Sequence, residues 1–291
     1  MTIAACDDYL ARCRFPSPGV RAVCAVSGGP DSLALLVLAC AAGCDVTAVH
    51  VDHGLRDRSA SEADVVAAVA SKFGAAFESR SVAVAPGPNL EARARAARYG
   101  VLPRDVLTGH TADDQAETVL LNLLRGAGLD GLRGMPVDRR PLIGLRRFET
   151  RALCDTLGLD PIVDPSNADP SIRRNRVRHE LLPMLDSIAA RDVVPVVARQ
   201  AALLGDDAAV LDALSEAIDP TDSKALRAAP VALARRAIRS WLRCGNDEEH
   251  HPPDAATVER VLDVAHGRAA ATDVGGGRRV VRSRGRLTIT S

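Results

Sequence analysis

Aromatic residues make up only 2% of this 291-residue chain, lysine occurs just twice (Lys72 and Lys224), and the formal net charge is zero. The scarcity of rings leaves little for base stacking, so any RNA recognition is expected to rest on shape, phosphate contacts and hydrogen bonds. Zero net charge likewise argues against binding nucleic acid by bulk charge, and local clusters of arginine would have to carry it. The seven cysteines are an odd number with no CxxC pair, which excludes a disulfide framework or a cysteine zinc site and reads as small buried hydrophobes of a reducing compartment. No apolar run is long enough to span a bilayer, and no charged-then-apolar leader is present, so the expectation is a cytoplasmic protein with no membrane partner. What is plentiful is aliphatic surface: 47% of the residues are hydrophobic, enough for a core in each of two domains.

The chain is organised around Ser27, Gly28, Gly29, Pro30, Asp31 and Ser32, which close the apolar run 20–26 and open the apolar run 33–42. A β-branched run, a Gly-Gly turn and a helix start make a strand–loop–helix unit whose first helical turn presents unpaired N–H groups to an anion. Gly28 and Gly29 let the backbone curl around a phosphate, Ser27 and Ser32 add hydroxyls, and Asp31 offers an oxygen to a cation. The loop lacks the Gly-Lys-Ser/Thr of a Walker motif and the GxGxxG of a dinucleotide fold.

Strand and helix then alternate. Strands are expected at 46–51, 77–84 and 106–107, and helices at 62–73 and 90–99, which together imply an α/β fold with a doubly wound, Rossmann-like parallel sheet. Ligands of such sheets bind at the carboxyl edge. There the second strand ends at Asp52-His53-Gly54-Leu55-Arg56, and the fourth runs into Gly109-His110-Thr111-Ala112-Asp113-Asp114. Asp114 and Glu117 lie three apart on one helix face, as do Arg95 and Arg98 on the helix before. Acids in a first turn are also plain dipole partners worth about 0.3–1 kcal/mol each, which accounts for one or two of them but not for their company with His110. His50 and His53 flank Asp52 as weaker candidates for a metal, without cysteine or glutamate partners.

SGGPDS, VDHGLR, LEARARAARY, GHTADDQAET and LLRGAGLDGLRGM occur here in the order found in the tRNA(Ile)-lysidine synthetases, a family of the N-type ATP pyrophosphatases or PP-loop enzymes. Asp164-Pro165-Ser166-Asn167, Arg174-Asn175-Arg176-Val177-Arg178 and Leu181-Leu182-Pro183 extend the match, so residues 20–185 resemble the family closely. The resemblance implies ligation of free L-lysine to C2 of the wobble cytidine of an isoleucine tRNA, with ATP and Mg²⁺. ATP would adenylate the C2 oxygen, and the lysine ε-amine would then displace AMP. By the same resemblance the loop 27–32 holds the departing pyrophosphate, Asp31 carries Mg²⁺, and Arg95 and Arg98 face ATP or the activated base. Neutral lysine amine costs about 4 kcal/mol near neutral pH, and His110, Asp114 and Glu117 are the set expected to bind the lysine and take its proton, with the base left open among them.

A catalytic domain at 1–185 is expected to precede a smaller, mainly helical tRNA-binding domain at 186–291 that ends in a β-hairpin. Arg174, Asn175, Arg176 and Arg178, in the densest basic cluster, and Arg239 in the helical half are the expected tRNA contacts. A basic run is otherwise just a solvated face. Longer family members carry a further C-terminal domain, so a short form is expected, with the oligomeric state open and a homodimer among the options. The rival readings are another PP-loop tRNA-modifying enzyme such as a thiolase, which needs cysteine chemistry, and a non-catalytic RNA-binding module.

Overall fold

A computed structural model of the chain describes residues 6–52, 59–82, 90–243 and 253–290, the side chains at 59–61, 90–92, 94, 95 and 98 excepted. His53 to Arg56 and the side chains of Arg95 and Arg98 therefore lie outside the described residues. The chain divides into two packed units, 1–202 and 203–291. The division falls inside one long helix, later than the 185/186 boundary expected from the sequence.

The first unit begins with the short helix α1 (Asp7–Leu10), strand β1 (Arg21–Ala25) and helix α2 (Pro30–Ala41). It continues through β2 (Asp45–Asp52), α3 (Ser59–Phe73), β3 (Ala76–Ser81), α4 (Leu90–Val101), β4 (Leu107–Thr108) and α5 (Ala112–Leu124). The strands form one parallel sheet in the order β3-β2-β1-β4, with Cys24 opposite Leu107 and Ala25 opposite Val49 and Thr108. The chain thus winds outward from β1 in one direction and then returns to its other side. The crevice between the carboxyl ends of β1 and β4 is the switch point at which α/β sheets bind ligands.

Residues 33–39 of α2 are buried without interruption, which is why this helix reads apolar on every face rather than along one stripe. It lies in a core with Ala22, Cys24 and Val26 of the β1 segment, Val66 and Val69 of α3, and Leu153 and Cys154 of a later helix. Val23, Val49, Leu102 and Val106 fill the opposite sheet face. The parallel α/β expectation is met. The chain continues into α6 (Leu129–Leu132) and α7 (Arg147–Thr156), and then into a helical run of α8 (Arg173–Arg176), a π turn (Val177–Leu181) and α9 (Leu182–Ala189). The helix α10 (Val194–Glu216) crosses into the second unit.

The second unit contains α11 (Ser223–Ala228), α12 (Val231–Arg243), α13 (Ala255–His266) and the antiparallel strands β5 (Ala271–Gly275), β6 (Arg278–Ser283) and β7 (Arg286–Thr290). Leu226, Ile238, Leu242, Val261, Val280 and Leu287 form its core. The expected hairpin is β6–β7, and β5 adds a third strand that the sequence reading lacked. Gly275, Gly276 and Gly277 all have positive φ, so the glycine run is the turn joining β5 to β6, a conformation other residues adopt only at a cost.

Two close approaches hold the switch point together. A Cβ on Gly109 would lie 2.6 Å from the Asp31 carbonyl oxygen, so the end of β4 and the loop after β1 touch through bare backbone. Gly28, at φ +83°, accepts a hydrogen bond from the N–H of Ile162 at 2.9 Å, which ties the loop to the segment ahead of the 164–167 turn. Gly109→Ala is expected to destabilise the protein by about 1–3 kcal/mol, the usual cost of overpacking, and to weaken ATP binding. Urea unfolding with ATP titration checks this, and a variant matching wild type in both would show that the approach is dispensable.

Candidate active site

Ser27 to Ser32 make a tightly tied loop between β1 and α2. The Ser32 hydroxyl donates to the Gly29 carbonyl at 2.9 Å and accepts the Ser27 N–H at 3.1 Å, and Pro30 takes the first helical position, where its missing N–H costs nothing. Asp31 follows in the first turn, where the helix dipole favours an anion. One Asp31 oxygen accepts the hydroxyl of buried Thr150, and the other lies 3.7 Å from Nε of Arg147. His50 at the end of β2 donates from Nδ1 to the Val26 carbonyl at 2.9 Å, which locks the strand end. Among the described residues no cluster of three His, Cys, Asp or Glu is arranged to hold a metal.

Across the switch point, α5 starts at Thr111 with His110 just before it, the imidazole Nδ1 lying 2.8 Å from the Thr108 hydroxyl. Asp114 reaches back to the Thr111 N–H at 2.9 Å and hydroxyl at 3.0 Å with one oxygen, half of a capping box. Its other oxygen accepts Nη2 of Arg147 and Nη2 of Arg174, both at 2.9 Å. Glu117, one turn on, is fully buried. It accepts Nη1 of Arg147 at 3.0 Å, Nε of Arg174 at 2.7 Å, and Nε and Nη2 of Arg178 at 2.7 and 3.2 Å.

Each carboxylate has about four acceptor positions, so both acids are saturated. Asp114 and Glu117, the acids expected to hold the lysine amine and take its proton, orient three guanidinium groups. Burial would raise the pKa of Asp114, but Arg147, Arg174 and the Thr111 N–H together override it and hold the carboxyl at about 2. Its stabilising contribution is complete above pH 4 and is lost as pH falls toward 2. A five-donor guanidinium that spends two donors on an acid keeps others for a phosphate or carboxylate. The acids of α5 therefore build a cationic face beside the loop 27–32.

The other expected tRNA contacts fare differently. Arg174 and Arg178 belong to this cluster, whereas Arg176 is exposed and pairs with Glu180 at 2.8 Å. Asn175 is buried, and its side-chain amide donates to the carbonyls of Ser166 and Asp169, both at 2.8 Å. Asn175 thus clamps the 164–169 loop. Arg239 lies half-buried on α12 in the second unit.

Arg147 and Thr150 of α7 are the residues that sequence reasoning missed. A signal for Arg147 existed: arginines at 146 and 147 open a helix, the end where the dipole disfavours cations, so specific acid partners were called for. Asp113 supplies one by accepting the Arg147 N–H at 2.8 Å and Nε of Arg146 at 3.0 Å.

Burial, opposed by the Thr150 hydroxyl and reinforced by Asp114, pushes Asp31 up to about 6. An unfolded-chain carboxyl loses its proton near 4, so the folded state binds more protons between these values. Ionisation then costs stability that grows as pH rises through this window, to at most about 3 kcal/mol above it. Asp31→Asn is expected to raise the thermal midpoint at pH 7, with the gap closing below pH 4, while abolishing nucleotide turnover. A lower midpoint at pH 7 would mean that the carboxylate stabilises the fold through Arg147 instead.

Comparison with known proteins places the geometry in a family. Residues 8–185 match the PP-loop domain and residues 222–288 the TilS substrate binding domain. A tRNA(Ile)-lysidine synthase of Nocardia farcinica is 40% identical over 296 residues, covering 94% of this chain and 93% of the relative. One from Mycolicibacterium paratuberculosis is 45% identical over 237 residues, 76% of this chain and 74% of the relative. Among solved structures, the U34-tRNA thiolase NcsA of Methanococcus maripaludis, which carries a [4Fe-4S] cluster, shares the fold at a TM-score of 0.54 and 17% identity, over 70% of this chain and 78% of that one. With a PP-loop at its switch point and relatives aligned along nearly its whole length, the chain belongs to the tRNA(Ile)-lysidine synthase family.

Proposed function

We infer that this chain is a carbon–nitrogen ligase that uses ATP to convert the wobble cytidine of isoleucine tRNA to lysidine, with free L-lysine as the second substrate and Mg²⁺ as the metal. The observation that carries the reading is similarity to lysidine synthases across both units, together with an intact loop and acid set at the switch point.

The loop 27–32 would receive the β- and γ-phosphates against the start of α2. Asp31 suits Mg²⁺, which is usually held by one or two carboxylates plus substrate phosphates, since only one of its oxygens accepts a short hydrogen bond. When bound, the metal spreads the charge that builds on the pyrophosphate. Arg147, Arg174 and Arg178, fixed by Asp114 and Glu117, would present their remaining donors to the α-phosphate of the adenylate or to the lysine carboxylate, where a pre-oriented guanidinium binds two oxygens at once. Of the groups first expected to take the amine proton, His110 stands just before α5 with Nδ1 2.8 Å from the Thr108 hydroxyl, and an imidazole is a common general base. Arg176 and Arg239 remain the proposed backbone contacts to tRNA, each worth one released counterion.

The thiolase alternative draws no support from the cysteines. The six described are free, and burial pushes Cys13 and Cys154 up to about 12 and Cys40 to about 11, too high for a reactive thiolate.

The test is a single-turnover reaction on isoleucine tRNA with Mg·ATP. Pyrophosphate release without lysine, followed on adding lysine by AMP release and a tRNA heavier by one lysyl group, is the expected result. Sulfur incorporation, or no turnover with lysine, would refute it. Arg147→Lys keeps the charge but loses the planar fork, so pyrophosphate release is expected to slow about 100-fold. An unchanged first step with a raised lysine KM would place Arg147 on the lysine side.

A further inference from the structure

We propose that Phe148 is a stacking platform for an unpaired base of the tRNA anticodon loop, next to the base that reacts. Of the seven aromatic residues, Tyr9, Phe15, Phe73 and Phe77 pack against the first unit's core and Trp241 against the second's, and Tyr99 is half-buried. Phe148 alone is exposed, at 65%. A lone exposed hydrophobe means little by itself, but the position of this one is specific. It follows Arg147, whose guanidinium bridges Asp114 and Glu117, at the end of α7 that abuts the switch point.

The ring is also backed on one side. The Arg146 guanidinium lies 5.5 Å from its centroid and is itself fixed by Asp113, through Nε at 3.0 Å and Nη2 at 3.1 Å, and by Asp192. A guanidinium held over a ring supports it as a cation–π partner and leaves the rest of the ring open to solvent. The occupant follows from the reaction, on which this proposal rests. A base that reaches the Arg147 cluster has unpaired neighbours in the same loop, and proteins hold unpaired bases by stacking them on aromatic rings beside arginine. The sequence-based expectation that recognition does without rings is thereby narrowed to one exception.

Phe148→Leu keeps an apolar side chain and removes the π face, and Phe148→Trp enlarges it. For Phe148→Leu we expect Kd for isoleucine tRNA to rise about 5- to 150-fold, with ATP affinity and the thermal midpoint unchanged. In Phe148→Trp, tRNA should quench fluorescence beyond the change that Trp241 gives in the wild type. Wild-type tRNA affinity in Phe148→Leu, or no added quenching in Phe148→Trp, overturns the proposal. So does a loss of self-association in Phe148→Leu by sedimentation with tRNA affinity intact, which would make the ring a contact between protein copies. If the wild type itself neither binds nor modifies this tRNA, the functional reading fails, and this proposal with it.

Discussion

A buried carboxylate with no exposed atom is affordable only if its charge is matched at hydrogen-bonding distance, and Glu117 is matched by three arginines from two separate segments. That requirement fixes much of the first unit. It draws the start of α7 and the run from α8 into the π turn onto the same face of α5, and Asp114 repeats two of the three contacts. Desolvating so many charges gains little net stability over a packed apolar core, and removing one partner typically costs about 3–5 kcal/mol. Such a cluster is better understood as a device that holds guanidinium groups in a set orientation than as a source of stability.

The opposite bargain holds at Asp31. Its carboxyl, unlike that of Asp114, is pushed up to about 6 because burial outweighs its partners. An under-satisfied carboxylate and an arginine face therefore stand side by side at the switch point, joined by the 3.7 Å approach of Arg147 to Asp31. One suits a cation and the other an anion. Arg147 is the hinge of this division, since it touches the acid of the loop and both acids of α5.

Much of this was legible in the sequence. The Gly-Gly turn between a β-branched run and an apolar helix located the loop, and alternating strands and helices gave the parallel sheet, because both signals are local. The partners of Asp114 and Glu117 were not legible, since Arg147, Arg174 and Arg178 lie 30 to 61 residues from Glu117 along the chain and no periodicity reports that distance. Isolated acids at a strand end read as a site for an amine, and the arginines that fill their acceptor positions are visible only in the structure. Asn175 is a related case: its arginine neighbours in sequence suggested RNA, and its contacts with the Ser166 and Asp169 carbonyls were not legible. The strand β5 was hidden by Gly275 to Gly277, a composition shared by linkers and tight turns.

Glu117 acts by holding arginines, and a double-mutant cycle for stability is the measurement that decides it. Glu117→Gln and Arg178→Gln, alone and together, would be unfolded in urea at pH 7. If the two groups act as one charge-matched pair, the double variant loses less than the sum of the single losses, with a coupling of about 1–3 kcal/mol. Additive losses would mean that Arg178 and Glu117 contribute independently and that the cluster is not what organises the site.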